Sequence, residues 1–134
     1  MSWWEKRIAS PDGLSESFGA FAGTSLVGTV AIEYSAKPKT MHSALLIGMY
    51  LQPNSRRSGA ASALVNAAIL AAKARPEIQG IRLTVTEGNE PAIRLYKSVG
   101  FIAWGTEPQA IRTPSGFKGK VHMSLLFPRA ATAA

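Results

Sequence analysis

The amino-acid sequence predicts an α/β fold: one mixed sheet, part parallel and part antiparallel, with helices crossing between its strands. Three observations lead there. Alternating apolar and small or polar residues mark a strand hairpin early in the chain. A continuously apolar stretch, "ALLIGMYL", is followed by an alanine-rich helical run and then by an alternating stretch, the pattern of a strand–helix–strand crossover. A second helical run then leads to two closing strands.

The elements follow in order. "SWWEKRIAS" precedes the hairpin and reads as the remnant of an N-terminal helix within residues 1–15. "ESFGAFA", "GTS" and "LVGTVAIEY" read as strand, turn and strand, with Phe18, Ala20 and Ala22 alternating along the first and Gly23, Thr24 and Ser25 supplying turn chemistry. "SAKPKT" is a polar loop. Residues 44–51 form a central strand covered on both faces, and Gly48 within it signals a bulge or a close backbone approach. Residues 58–75 are rich in Ala and Leu and read as a helix that Pro76 stops. At about 100° per residue, Ser58, Ser62, Asn66 and Lys73 share one narrow stripe, so the rest of this helix is expected to be buried on most sides.

"IRLTVTE" is the next strand. Asn89 is a good N-cap for a following helix, Pro91 suits its first turn and Gly100 its end. Ala92, Leu95, Tyr96 and Val99 give that helix one apolar face. "FIAWGTE" and "GKVHMSLLF" are the final strands, joined by the loop "PQAIRTPSGF". Residues 1–134 make one domain, with 128–134 as a frayed tail.

Composition narrows the function classes. A chain of 134 residues with 46% hydrophobic residues fits one packed core and not a disordered chain. The absence of cysteine excludes a disulfide scaffold, a Cys-ligated zinc site and cysteine catalysis, and it fits a cytoplasmic protein. His42 and His122 lie far apart in sequence and make no metal case. A net charge of +7 favours anionic partners. The basic residues are scattered, without a block and without interleaved aromatics, which argues against nucleic acid. The first residues lack the apolar run of a signal peptide, and residues 60–74 are too short and too interrupted for a membrane span, so a soluble protein without a membrane partner is expected.

The stretch "SRRSGAASAL", residues 55–64, sets Arg56 and Arg57 before a helix whose first positions are Ser58, Gly59, Ala60, Ala61 and Ser62. A helix N-terminus carries unsatisfied N–H groups and partial positive charge, and small residues leave that backbone open to an anion. The same residues also suit an ordinary strand–helix loop packed by small side chains. Neither GxxxxGK[ST] nor GxGxxG is present, which argues against a P-loop NTPase and a dinucleotide site.

Arg56-x-x-Gly59-x-Ala61 resembles the acetyl-CoA pyrophosphate signature, (R/Q)-x-x-G-x-(G/A), of the GNAT superfamily of N-acetyltransferases. "MYLQPNSRRSGAASAL" resembles that family's apolar strand, V-x-P and signature. "LTVTEGNEPAIRLYKSVGF" resembles its L-x-V, N-x-x-A-x-x-L-Y and G-F. "GTVAIEY" and "WGTEPQAI … VHMSL" look like the same family, so the resemblance covers about residues 18–127. Two departures stand out. Arg57 and Ala61 occupy positions where the family often has Gly. The family also carries an extra strand and helix before the first hairpin, which here begins near residue 17.

The resemblance implies acetyl-CoA as co-substrate and a primary amine of a small molecule, peptide or protein as acceptor. It implies that the backbone of residues 58–62 cradles the pyrophosphate beside Arg56 and Arg57. Backbone groups of Met49, Tyr50 and Leu51 would pair with the pantetheine arm, in a slot opened by a bulge at Gly48. Asn89 would face the cofactor while also capping its helix. Tyr96 would protonate the leaving thiolate. A base must take the amine's proton: His42 is the candidate, with Glu33, Glu107 and water as alternatives. A non-catalytic acyl-CoA-binding domain of the same family is the alternative function. An incomplete acceptor wall points to a possible homodimer.

Overall fold

The computed structural model describes residues 4–56 and 59–128, with side chains from residue 7 onward. The expected Arg57 and Ser58 contacts and the frayed tail beyond residue 128 lie outside the described residues. One 7-stranded sheet runs in the order β1-β2-β3-β4-β5-β7-β6. Its strands are β1 (Trp4–Ala9), β2 (Ser15–Ala22), β3 (Ser25–Tyr34), β4 (Ser43–Leu51), β5 (Gly80–Thr86), β6 (Ile102–Thr113) and β7 (Gly116–Leu126). Helix α1 (Ala60–Lys73) joins β4 to its parallel neighbour β5, and α2 (Glu90–Ser98) follows β5. All other pairings are antiparallel, so the mixed sheet with helical crossovers is as expected.

Both helices serve one face. Strand alternation puts Phe18, Ala20, Val30, Ile32, Ala44, Leu46, Ile81, Leu83, Val85 and Met123 on that face, where they form a single buried cluster with Leu64, Val65, Ala68 and Ile69 of α1 and Tyr96 of α2. The intervening residues of the other face, among them Glu33, Ile47, Arg82 and Thr84, are exposed. No described helix covers them. Burial on one side also corrects the expectation for α1. Leu70 is 66% exposed, because the helix rests on a single sheet face and its outer half meets solvent.

Residues 4–9 are a strand and not a helix remnant. β1 pairs along its whole length with β2, so hydrogen bonding to the hairpin's open edge decides its conformation. The connection, residues 10–14, is a tight turn. Asp12 Oδ1 accepts from the Ser10 hydroxyl at 2.6 Å and the Leu14 N–H at 3.0 Å, and Gly13 takes φ 72°. No helix intervenes between β1 and β2.

A buried charge network ties this edge to the rest. Glu16 is only 4% exposed. It accepts the Tyr34 hydroxyl at 3.0 Å and pairs with Arg75 at 3.3 Å and Arg7 at 3.2 Å. The Arg75 guanidinium also lies 3.6 Å from the Tyr34 ring centroid.

The expected loop 108–117 is instead mostly paired. β6 and β7 continue as a hairpin to Thr113 and Gly116, and the residues between Glu107 and Ile111 are absorbed as a bulge with Gln109 at φ 51°.

Candidate functional site

The site begins where β4 and β5 part. The two strands run side by side, but their ladder holds only from Ser43–Gly80 to Leu45–Arg82. Beyond that, β4 leans away. The cause lies on its other edge: the β3–β4 register shifts between Thr29 and Ala31, and Gly48 sits in the left-handed region at φ 64°. The extra residue bends β4 and frees its inner edge from about Leu46 onward.

The gap is a cleft of about 240 Å³, lined by Leu46, Ile47, Met49, Thr84, Asn89 and Tyr96, among others. Leu46 belongs to the helix-covered face, whereas Ile47 and Thr84 belong to the open one. The cleft therefore passes through the sheet.

Helix α1 starts past the carboxyl end of β4. Its N-cap is Gly59 at φ 86°, no side chain caps it, and its first turn holds no acidic residue. Nothing lies within 4 Å of where a Gly59 Cβ would stand. Arg56 is exposed on the approach. A 14-residue helix that starts without a side-chain cap and without an acidic residue in its first turn suits an anion electrostatically.

Helix α2 supplies the far wall. Asn89 Oδ1 accepts from the Ala92 N–H at 3.4 Å, the expected cap, while Asn89 also lines the cleft. Tyr96 is 7% exposed, its ring edge-on to Phe101 at 5.8 Å. No described residue hydrogen-bonds its hydroxyl, and the residue lines the cleft. Burial pushes the hydroxyl above the ordinary tyrosine range, so it holds its proton.

The fold thus brings Met49, Asn89 and Tyr96 around one opening, and helix α1 starts at Ala60, past the carboxyl end of β4. Tyr50 and Leu51 follow Met49 along β4; Tyr50 is exposed and Leu51 pairs with Gly28 of β3. His42 is not part of this group. It lies in the turn before β4, about 20 Å down the strand from Gly48 at ~3.3 Å per residue. Glu33 faces a separate open-face cavity of about 440 Å³ with Leu45 and Arg82.

A family model described as "Acetyltransferase (GNAT) family" matches residues 2–101. The chain belongs to the GNAT acetyltransferase family. Among curated relatives, the L-amino acid N-acetyltransferase AaaT of Escherichia coli K12 is 31% identical over 103 residues, covering 77% of this chain. The chain spans 62% of that relative's length. A GNAT acetyltransferase from Streptococcus pneumoniae superposes with a TM-score of 0.80 at 24% identity, covering 85% of this chain and 68% of that one. The ribosomal-protein-S18-alanine N-acetyltransferase of Escherichia coli gives 0.77 at 21% identity, with 88% and 72% covered. These likenesses concern the GNAT fold. Among the described residues, no helix is long and apolar enough to cross a membrane.

One cluster near the cleft escaped the sequence reading as a unit. His122 Nε2 and Glu107 Oε1 are 3.3 Å apart, and Trp104 stacks on His122 with centroids 5.0 Å apart. Glu107 had stood out only singly, and His122 only as an unpaired histidine. Their spacing in sequence carries no signal, because a bulge at Trp104 sets which β6 residues share a face with His122.

Proposed function

We propose that the chain transfers an acetyl group from acetyl-CoA to a primary amine by direct attack of the amine on the thioester. The observation that carries this is the cleft where β4 and β5 part, lined by Tyr96, together with a helix that starts past the carboxyl end of β4 without a side-chain cap. These residues fit the co-substrate. The free edge of β4 around Met49 offers backbone groups to an extended amide-bearing arm, as a further strand would. The start of α1 from Gly59 offers N–H groups and positive potential to a pyrophosphate. Acetyl-CoA supplies the activated acyl group. Tyr96, held neutral by burial, donates a proton to the departing sulfur.

We place the acceptor on the open face of the sheet and propose that it carries a carboxylate beside its amine. Arg82 is exposed there, lines the adjoining cavity with Glu33, has no ion-pair partner among the described residues, and stands two residues before Thr84, which lines the cleft, on the same face of β5. The E. coli relative is named for L-amino acids, in line with this choice. We also propose a homodimer joined along the β6 end of that face. β6 is an edge strand, Ile102 is 71% exposed and Leu126 77%. A cytoplasmic location suits a cysteine-free protein that uses acetyl-CoA.

The test is turnover of acetyl-CoA across a panel of amines and amino acids, with CoA binding measured by calorimetry. Turnover favouring amino acids, with Arg82→Ala raising their KM and sparing that of acetyl-CoA, supports the proposal. CoA binding without turnover would leave a non-catalytic acyl-CoA-binding domain. No CoA binding at all would refute both.

A further inference from the structure

We infer that His122, oriented by Glu107, takes the proton from the attacking amine. This rests on the acetyl-transfer reading and adds to it the group that the reaction still lacks. Three observations place it.

The first is register. β7 lies between β5 and β6, and His122 stands directly opposite Thr84 of β5. Thr84 lines the cleft on the open face. Neighbouring strands are ~4.8 Å apart, so His122 stands about one and a half spacings, ~7 Å, from the middle of the β4–β5 cleft, a gap that a short chain of water spans to carry a proton. Glu33 and His42 lie lower in the sheet, outside this row.

The second is orientation. If Glu107 Oε1 accepts the proton on Nε2, across 3.3 Å, then Nδ1 presents a lone pair. The extra residue of the β6 bulge, Trp104, stacks on the ring, and the Trp104 indole N–H donates to Ser124 Oγ at 3.1 Å. Gly105 is the residue opposite His122 on β6, with open space where a Cβ would stand. The imidazole is thus held by a carboxylate and an indole and left unobstructed by the residue across from it.

The third is the division of the cleft between two sheet faces. Tyr96 reaches it from the helix-covered side; Thr84 and His122 stand on the open side. Acyl transfer needs a proton removed from the nucleophile and another delivered to the leaving group. His122 accepts the proton that the amine sheds as its nitrogen bonds to the carbonyl carbon. Tyr96 gives its proton to the sulfur as the carbon–sulfur bond breaks, and solvent restores both groups. The other charged side chains near this part of the open face are Lys120 and Arg82, which offer donors only, and Glu33, which lines the adjoining cavity with Arg82 and not the cleft.

The experiment compares wild type, His122→Gln and Glu107→Gln in acetyl transfer to an amino acid, from about pH 6 to 9, with CoA binding by calorimetry on the same preparations. For His122→Gln we expect kcat lower by ~100-fold or more. CoA affinity and acetyl-CoA KM should be unchanged, and the rising acid limb of the kcat profile should disappear. Glu107 is a positioning residue. Its Gln variant should lose roughly 10-fold in kcat at unchanged acetyl-CoA KM, because an amide at this position no longer fixes which imidazole nitrogen carries the proton. Unchanged CoA binding reports that each variant is folded. Wild-type kcat with an intact limb in folded His122→Gln overturns the inference while leaving the acetyl-transfer reading standing. A wild type that binds CoA but acetylates no amine overturns both.

Discussion

Gly59 offers the sharpest test of the pyrophosphate site, because its structural and binding effects can be separated. Consider Gly59→Ala and Gly59→Glu side by side. Both force a side chain onto a backbone at φ 86°, ψ −4°, at a cost of about 1–2 kcal/mol. The Cβ that both share meets nothing within 4 Å outside its chain neighbours. The carboxylate at a helix start returns ~0.3–1 kcal/mol. The Glu variant should therefore melt no lower than the Ala variant. Binding should separate them. A carboxylate about 5 Å from one pyrophosphate charge repels it by roughly 3 kcal/mol at an effective dielectric of ~20. Solvent exposure reduces this to about 2 kcal/mol, or some 30-fold in affinity. Calorimetry with CoA should show Ala within a few-fold of wild type and Glu about 30-fold or more weaker. At about 1 M salt, where the screening length is ~3 Å, the gap should narrow. Equal affinity of the two variants for CoA at low salt would refute the placement of the anion at this helix start.

Three further outcomes follow from particular residues. Tyr96→Phe keeps the ring against Phe101 and, since no described residue bonds the hydroxyl, should alter melting little while cutting turnover ~10- to 1000-fold at unchanged CoA affinity; wild-type turnover would end its role as acid. Tyr34, driven well above the usual tyrosine range by burial and then by its bond to Glu16, contributes stability that is complete below about pH 10, where unfolded tyrosine is still neutral, and is lost as pH rises beyond that. Tyr34→Phe should accordingly flatten the alkaline fall in melting temperature while lowering stability at neutral pH by about 1–3 kcal/mol, because Glu16 loses a donor. Ile102→Glu should convert the proposed dimer to a monomer by light scattering; a wild-type monomer with full turnover would refute the dimer.

How much of this was legible in the sequence depends on whether the decisive interaction was local. The Asn89 cap, the end of α2 at Gly100 and the break at Gly48 are local, and each stands where the residue types put it. The strand at Trp4–Ala9 was missed because its stability comes from pairing with β2. A local signal did exist: Pro11-Asp12-Gly13 is turn chemistry of the kind that joins adjacent strands. The β6–β7 hairpin was read as a loop because Pro108 and Pro114 resemble loop punctuation. Pro108 falls within the bulge and Pro114 in the turn, where a missing N–H costs little. The burial of α1 was overestimated for a different reason. Alanine is apolar enough to suggest burial but small enough to face solvent at little cost, so an alanine-rich helix does not reveal how many sides are covered.

The bulge at Gly48 is the feature on which the functional reading turns. A regular β4–β5 ladder would seal the sheet, and groups on its two faces would never share a reactant. The left-handed residue lets β4 bend away without breaking its pairing with β3, which resumes at Tyr50 and Leu51. The opening then joins two environments of different character. On the helix-covered side, burial keeps Tyr96 protonated, as a proton donor must be. On the open side, His122 and Glu107 stand in partial contact with water, where an imidazole exchanges protons readily. A two-layer sheet with one uncovered face is costly in exposed apolar surface, as Ile47, Ile102 and Trp104 attest. It also gives an incoming amine a direct approach to the same opening from the side opposite Tyr96. Acid and base are thus kept on separate faces, where neither can neutralise the other, and they meet only across whatever occupies the cleft.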